Sequence, residues 1–262
     1  MSVMDADQPR AFAPLPRIAE HRVAVADVGE HRLFLVSPPA GTGPGTTVLY
    51  LLDGNVAVPA LRPEWLAGRP QLAIVGLGYP VEAGFDVERR SRDYTPPPPA
   101  DWDGGSRNAL RRPHGGAGDF LDLLETRLVA GAEALLGVDP ARRVLWGHSY
   151  GGLFGLFALW RGIGGFEAIH AASPSLWWGD GMMERALADF DPAAGQVRRL
   201  DLSMGDSEVS STGEVLSGPD RLQRLAAGLR RRPGLDCSVS IFAGTGHRQA
   251  FDLSLERLVA TA

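Results

Sequence analysis

The sequence predicts an α/β fold built on a mostly parallel sheet. The runs at 48–52 and 72–77 are continuously apolar, which is typical of strands that are covered on both faces. From residue 144 onward, strand-like runs alternate with helix-like stretches, an order that requires crossover connections and hence parallel strands. We therefore predict an eight-stranded sheet with helices on both faces.

Each element follows from its local pattern. Two short runs, 23–25 and 33–36, flank a turn-forming segment at 27–30 and predict an N-terminal antiparallel hairpin. The buried strands at 48–52 and 72–77 come next. The further predicted elements are strands beginning at 144, at 166–172, 197–204 and 237–242, and helices at 120–136, 182–190, 219–231 and 249–260.

The chain of 262 residues, 44% of them apolar, is large enough for one core. We predict a flexible tail at 1–16 and a single domain at 17–262. Within that domain, segment 95–118 is too rich in proline and glycine for helix or strand. Two interpretations of this loop stay open, a flap over a functional site and a variable surface excursion.

Composition excludes several function classes. A formal charge of −5 with scattered arginines argues against nucleic-acid binding. The single cysteine, Cys237, excludes an internal disulfide and multi-cysteine metal sites. The first sixteen residues carry no long apolar region, so we expect neither a signal peptide nor a membrane anchor. The chain is predicted to be cytoplasmic.

The motif Gly-His-Ser-Tyr-Gly-Gly at 147–152 lies between an apolar strand and a helix-like stretch. This is the strand-turn-helix context in which a Gly-x-Ser-x-Gly elbow presents a nucleophilic serine. The motif predicts Ser149 as the nucleophile. Together with the strand and helix order, it indicates the α/β-hydrolase fold.

A serine nucleophile needs a base, and in this fold the acid and then the histidine follow the serine along the chain. His170 lies in an apolar strand and is predicted to be a hydrogen-bonded core residue, whereas His247 follows the last strand. We predict His247 as the base. Its orienting acid is predicted in the turn after the preceding strand, at Glu208, with Asp206 as the alternative.

Negative charge that develops on the attacked carbonyl oxygen requires preorganised N–H donors. One donor is expected from the residue after the nucleophile, Tyr150. The other is expected from the loop after the strand at 48–52, through Gly54 or Asn55. This chemistry needs no metal and no organic cofactor.

Four sequence blocks, one of which contains the elbow motif, carry a family resemblance. They are Tyr-Leu-Leu-Asp-Gly-Asn at 50–55, Arg-Asp-Tyr-Thr-Pro at 92–96, Gly-His-Ser-Tyr-Gly-Gly-Leu-Phe at 147–154 and Ala-Ser-Pro-Ser-Leu-Trp-Trp at 172–178. With these blocks and the late histidine, the chain resembles the putative-esterase (esterase D-like) family. Among its branches, the chain is similar to the siderophore esterases of the enterobactin, salmochelin and bacillibactin type.

The resemblance implies hydrolysis of carboxylic esters in a small molecule, here the trilactone or linear esters of a ferric siderophore. For such an anionic, aromatic ligand, the predicted contacts are Arg92, Tyr94, Trp177 and Trp178, with Arg89, Arg90 and Trp102 as further cationic or stacking groups. The chain departs from the family at Arg248 and Gln249 and in the loop at 95–118. Some members are described as using a serine–histidine dyad, so the resemblance does not select an acid.

Two alternative functions stay open at this point. An acyltransferase or peptide cyclase would use the same serine and histidine with a different acceptor in place of water. A non-catalytic binding protein would keep the fold and lose the chemistry. The retained Ser149, His247 and nearby carboxylates favour an enzyme.

Overall fold

The computed structural model describes residues 18, 20–39, 43, 45–82, 84–105, 109–191, 196–209 and 218–262. The predicted tail at 1–16 lies outside the described residues. The strands are β1 (Arg22–Val28), β2 (His31–Ser37), β3 (Thr47–Leu52), β4 (Leu72–Gly78), β5 (Arg142–His148), β6 (Ala168–Ala172), β7 (Arg199–Gly205) and β8 (Asp236–Phe242). They form one eight-stranded sheet in the order β1-β2-β4-β3-β5-β6-β7-β8.

The α-helices in the described parts of the chain are α1 (Gly54–Ala60), α2 (Pro63–Leu66), α3 (Val87–Tyr94), α4 (Ala117–Leu123), α5 (Val129–Leu136), α6 (Tyr150–Trp160), α7 (Met182–Ala188), α8 (Pro219–Leu229) and α9 (His247–Thr261). A π-helical turn at Leu124–Leu128 separates α4 from α5, where the sequence predicted one continuous helix. Across the residues described, no helix combines the length and apolar composition needed to cross a bilayer.

Strand directions agree with the sequence prediction. β1 pairs antiparallel with β2, and β2 pairs antiparallel with β4. The pairs β3–β4, β6–β7 and β7–β8 are parallel, as expected for strands that are joined by helical crossovers. The predictions of eight strands, of a mostly parallel sheet and of an N-terminal hairpin are confirmed.

The chain divides into two compact units. The first consists of residues 1–86, 122–145 and 255–262. Strands β3 and β4 are buried along nearly their whole length, which explains their continuous apolar sequence. Tyr50 on β3 donates a hydrogen bond of 2.7 Å to Glu133 on α5, and Arg143 on β5 donates to the same carboxylate. This buried network fixes α5 against the strands of its unit.

The second unit consists of residues 87–121 and 146–254. Helix α6 is buried on almost every side. Its Phe154 packs against Tyr94 of α3 and Phe120 of α4, with ring centroids 5.1–5.9 Å apart in this trio. Aromatic packing of this kind removes a large apolar area from water and gives each ring a defined orientation. It provides a rigid base for the loops at the carboxyl ends of β5, β6 and β7.

The proline- and glycine-rich segment 95–118 is closed at its base. The amide N–H groups of Gly116 and Ala117 donate to the carbonyl oxygens of Arg92 and Thr95, at 2.9 and 3.1 Å. The described part of the segment contains a short 3-10 turn at Ala109–Arg111, and its last two residues begin α4. Its two ends therefore meet at the carboxyl end of α3. Both interpretations of the segment, a flap over a functional site and a variable surface excursion, stay predictions.

Candidate active site

Ser149 occupies a sharp turn between β5 and α6. Its φ of 62° and ψ of −113° lie in a region that non-glycine residues rarely adopt, and such strain is typical of a nucleophile elbow. The N–H of Ser149 donates to Ala172 O at 2.9 Å, and its carbonyl accepts from Leu153 N at 2.9 Å. These two bonds hold the turn in place.

Two glycines allow this turn to form. A Cβ on Gly147 would collide with the backbone of Gly151, and one on Gly152 would approach Ala172 O to 2.7 Å and the Cα of Pro174 to 3.0 Å. The close approach of strand, helix and neighbouring loop therefore requires glycine at both positions. The side chain of Ser149 is left half-buried at the carboxyl edge of the sheet.

His247 and Glu208 form a close pair in the same unit. Glu208 lies in the turn after β7, and His247 is the first residue of α9. The Nδ1 of His247 lies 2.6 Å from Oε2 of Glu208. The Glu208 side chain is 3% exposed and that of His247 is 29% exposed. Because Nδ1 donates to the carboxylate, Nε2 is the nitrogen that can accept a proton.

The second oxygen of Glu208 is also engaged. Its Oε1 accepts a hydrogen bond of 2.6 Å from the hydroxyl of Ser173 and one of 2.7 Å from the N–H of Gly205. A buried carboxylate is stable only when its oxygens are hydrogen-bonded or paired. The orientation of the carboxyl group is thus set on both sides.

Asp206, the alternative acid of the sequence prediction, lies apart from this arrangement. It is exposed, and its carboxylate accepts a hydrogen bond of 2.8 Å from the neighbouring Ser207 hydroxyl. The same turn therefore presents two carboxylates to different surroundings. The structure brings Glu208 to His247, and the contacts of Asp206 are those of a turn residue.

His148 lies directly against His247. Its ring centroid is 4.4 Å from that of His247, and its Nε2 donates to the backbone carbonyl of His247 at 3.0 Å. Burial, with further contributions from the charges of His247 and Arg90, lowers the pKa of His148 well below its ordinary value of 6.5. His148 is therefore a neutral hydrogen-bond donor that supports the start of α9.

A second hydroxyl lies beside the hydroxyl of Ser149. The Oγ of Ser175 is 3.4 Å from the Oγ of Ser149, and the N–H of Ser175 donates to Ser149 O at 3.2 Å. Ser175 belongs to the sequence block at 172–178, but no role was predicted for it. The signal that could have found it is the Ser-Pro-Ser spacing directly after β6, which places two hydroxyls at the carboxyl edge.

The predicted substrate contacts divide into exposed and buried groups. Tyr94 and Trp178 are each 1% exposed; Tyr94 packs in the phenylalanine cluster, and Trp178 donates from Nε1 to Pro96 O at 3.0 Å. Their rings serve packing, so this burial disfavours direct substrate contact. Arg92 is 41% exposed and pairs with Asp93 at 2.6 Å. Trp177 is half-buried.

An aromatic and cationic surface adjoins the elbow through Tyr150. The ring of Tyr150 lies 5.9 Å from that of Trp177, and Trp102 lies 6.3 Å from Trp177. The guanidinium of Arg90 lies 5.5 Å from the centroid of the Tyr150 ring. All four side chains are partly exposed. This group, which we call the Trp177 surface, offers flat rings and a positive charge beside Ser149.

The predicted oxyanion donors lie at helix starts. Tyr150 is the first residue of α6, and Gly54 and Asn55 open α1 in the first unit. The first N–H groups of a helix have no partner within the helix. The side chain of Asn55 is committed to the backbone of Tyr79 and Val81, which leaves its N–H as the candidate donor. These roles stay predictions.

Other reactive groups give no second site. Among the residues described, no cluster of three or more histidine, cysteine, aspartate or glutamate side chains has a geometry that could hold a metal ion. Cys237 is buried, and burial raises the pKa of its thiol to about 11. It is therefore a weak nucleophile at neutral pH.

A family model described as Putative esterase matches residues 28–215, which is more than half of the chain. The chain belongs to the Putative esterase family. The resemblance inferred from the sequence blocks is therefore confirmed.

Two named relatives of this chain are described as esterases. The apo-salmochelin esterase of Escherichia coli is 37% identical over 168 residues, which cover 62% of this chain and 52% of that protein. The ferri-bacillibactin esterase of Bacillus subtilis is 27% identical over 88% of this chain and 84% of its own length. This chain thus spans about half the length of the salmochelin esterase.

A solved structure supports the fold. The enterobactin and salmochelin hydrolase IroE superposes with a TM-score of 0.74 and 26% identity over 94% of this chain and 98% of its own. The predicted α/β-hydrolase fold of this esterase-family chain is confirmed.

Proposed function

We propose that this chain is a serine esterase that cleaves the ester bonds of catecholate siderophores. The observation that carries the proposal is the 2.6 Å contact between His247 and Glu208, whose histidine ring lies against the residue that precedes Ser149. A nucleophile, an acid and a base that follow one another in this order along the chain match the requirements of covalent ester hydrolysis. The names of the relatives support the substrate class.

In the first step, the Oγ of Ser149 attacks the ester carbonyl carbon while Nε2 of His247 accepts the hydroxyl proton. The new C–O bond converts the carbonyl oxygen to an oxyanion, for which the N–H of Tyr150 is the proposed donor. When the tetrahedral intermediate collapses, the bond to the alkoxy group breaks and His247 returns its proton to the leaving alcohol. The product is an acyl group on Ser149.

In the second step, water takes the place of the serine as nucleophile and releases the acyl group from Ser149. His247 removes a proton from water, the hydroxide oxygen attacks the acyl carbon, and Ser149 leaves with the proton that His247 holds. Throughout both steps Glu208 accepts the hydrogen bond from Nδ1 of His247. It orients the imidazole and stabilises the imidazolium that forms twice in each turnover.

The Trp177 surface supports a catecholate substrate. Catechol rings are flat and aromatic, so they can stack on Trp177 and Trp102. A catecholate complex of ferric iron is anionic, and Arg90 places a guanidinium beside the same rings. Recognition by stacking and charge would hold the ester linkages beside Ser149.

Labelling with a fluorophosphonate tests the nucleophile. The folded protein should form one covalent adduct, Ser149→Ala should form none, and Ser175→Ala should keep it, which distinguishes the two neighbouring hydroxyls. Hydrolysis by Ser149→Ala should fall by at least about 10⁴-fold. An adduct that survives in Ser149→Ala would remove the proposed mechanism.

A substrate panel tests the chemistry. Iron-loaded and iron-free catecholate trilactones are incubated beside short p-nitrophenyl esters, with and without an added amine, and products are followed by mass. Cleavage of the trilactones to linear acids is expected. Activity restricted to the small esters would contradict the siderophore assignment, and amide products in preference to acids would indicate acyl transfer.

A further inference from the structure

The carboxylate of Glu208 has three hydrogen-bond donors, and they are divided between its two oxygens. The Nδ1 of His247 donates to Oε2, while the hydroxyl of Ser173 and the N–H of Gly205 both donate to Oε1. Removal of the donors from Oε1 would leave the carboxyl group free to rotate about its terminal bond, which has a broad torsional preference. Rotation about the same bond also sets the direction of Oε2 toward His247. The hydrogen bond from the Ser173 hydroxyl therefore restricts the rotation on which the contact with His247 depends.

The backbone of Ser173 is itself unusual. Its φ is 41°, in the left-handed region that favours glycine, and its N–H donates to Ser203 O at 2.6 Å. Glycine would adopt this conformation without strain. A serine at this position carries a steric penalty, and what it adds over glycine is a hydroxyl that reaches Glu208.

Water cannot easily replace this hydroxyl. Ser173 is 3% exposed and Glu208 is 4% exposed. In a buried environment, a hydrogen bond to a charged oxygen is stronger than at the surface, and its loss leaves the oxygen underpaired. The contribution of Ser173 is therefore specific to its side chain.

We infer that Ser173 is a positioning residue, whose hydroxyl holds Glu208 so that the carboxylate directs His247 toward catalysis. The inference rests on the proposed esterase function. Ser173 acts through Glu208 and has no role as nucleophile or base. Ser173, in the loop after β6, would thus be a fourth residue beside the proposed serine, histidine and glutamate.

The decisive variant is Ser173→Gly, because glycine adopts the positive φ without strain and lacks the side chain that carries the hydroxyl. We expect kcat to fall about tenfold with KM for a p-nitrophenyl ester unchanged, since Ser173 is not proposed to touch substrate. Ser173→Ala, which keeps the strain, should show the same loss in its folded fraction. Ser254→Ala is the matched control, because it removes another buried hydroxyl, bonded to Trp146 and Phe251 O, and should keep wild-type kcat.

The pH profile gives a readout that a merely structural role would not move. If the carboxylate is no longer held against His247, the acidic limb of kcat/KM should leave its wild-type position, whereas a loss of stability alone leaves the limb of the folded fraction unchanged. His148, which is neutral, lies against His247, and the charge of Arg90 acts on His148. Both are unchanged in Ser173→Gly.

A second measurement does not depend on activity. Proton NMR should show a low-field resonance for the His247 Nδ1–H in the wild-type protein, and Ser173→Gly should shift it while Ser254→Ala should not. If Ser173→Gly is folded and keeps both the wild-type kcat profile and this resonance, the inference is overturned. If the wild type cleaves no ester but the resonance still shifts, the proposed function fails and the positioning contact stands.

Discussion

Two carboxylate–histidine pairs lie in the second unit, and they differ in what surrounds them. At the carboxyl edge, Glu208 meets His247 at 2.6 Å, and the histidine is 29% exposed. Within the sheet, Asp201 on β7 meets His170 on β6 at 2.8 Å, and both are almost completely buried. His170 and Asp201 are directly opposite each other in the β6–β7 register.

The interior pair has strong additional partners. Arg199 forms an ion pair with Asp201 at 2.7 Å, and the hydroxyl of Ser238 donates to the same carboxylate. A carboxylate, a histidine and a serine thus occur together twice in this unit. The difference between the two pairs shows that a carboxylate, a histidine and a serine do not form a catalytic group by their residue types alone. The edge pair has a partly exposed imidazole that lies against His148, the residue before Ser149, whereas the interior pair cross-links three strands.

The largest expected difference between the pairs is in the histidines. His247→Ala should lower kcat/KM by about 10⁴-fold, because the serine loses its base. His170→Ala should keep kcat per folded molecule and lower the free energy of unfolding by about 2 kcal/mol, because Asp201 loses a charged hydrogen bond. Steady-state kinetics with active-site titration and urea unfolding measure the two effects. A folded His170→Ala protein with strongly reduced kcat would contradict the comparison.

The next largest effect on kcat is expected from the two carboxylates in the turn after β7, Glu208 and Asp206. Glu208→Gln should lower kcat by about 10³-fold, because a neutral amide stabilises neither the correct tautomer nor the imidazolium. Asp206→Asn, two residues away, should stay within about twofold of wild type, since its side chain faces solvent. Both are measured with the same ester under saturating conditions. Equal and mild losses would indicate that Ser149 and His247 act as a dyad.

The interior pair should show its effect in stability against pH. Burial opposes ionisation of Asp201, but the hydrogen bonds from His170, Ser238 and Arg199 outweigh it and lower the pKa of Asp201 below its ordinary value of 3.8. A carboxylate with a lowered pKa in the folded state stabilises the protein above its ordinary pKa. That stabilisation is lost as the pH falls from about 4 through the folded-state pKa.

Asp201→Asn should therefore reduce the free energy of unfolding by about 2 kcal/mol at pH 7 and flatten its decline below pH 4. Urea unfolding from pH 7 to pH 2 measures this, with Asp206→Asn as the exposed-carboxylate control. A decline as steep as in the wild type would assign the acid sensitivity to other groups.

Much of the fold could be predicted from sequence because hydrophobic periodicity reports burial directly. The continuous runs of β3 and β4 and the alternation of strands and helices after β5 required no knowledge of contacts. The π-helical turn at Leu124–Leu128 was missed, because a local widening of the helix leaves the apolar pattern almost unchanged.

The sequence by itself determined the elbow at Ser149, the position of His247 after the last strand, and the family of the chain. These features depend on residues close together in the chain or on their order along it. Tertiary structure decided which carboxylate meets His247, how Ser173 and Ser175 lie against Glu208 and Ser149, and which aromatic rings are buried. Those outcomes depend on distances between loops that are far apart in the chain, and neither spacing nor composition carries that information.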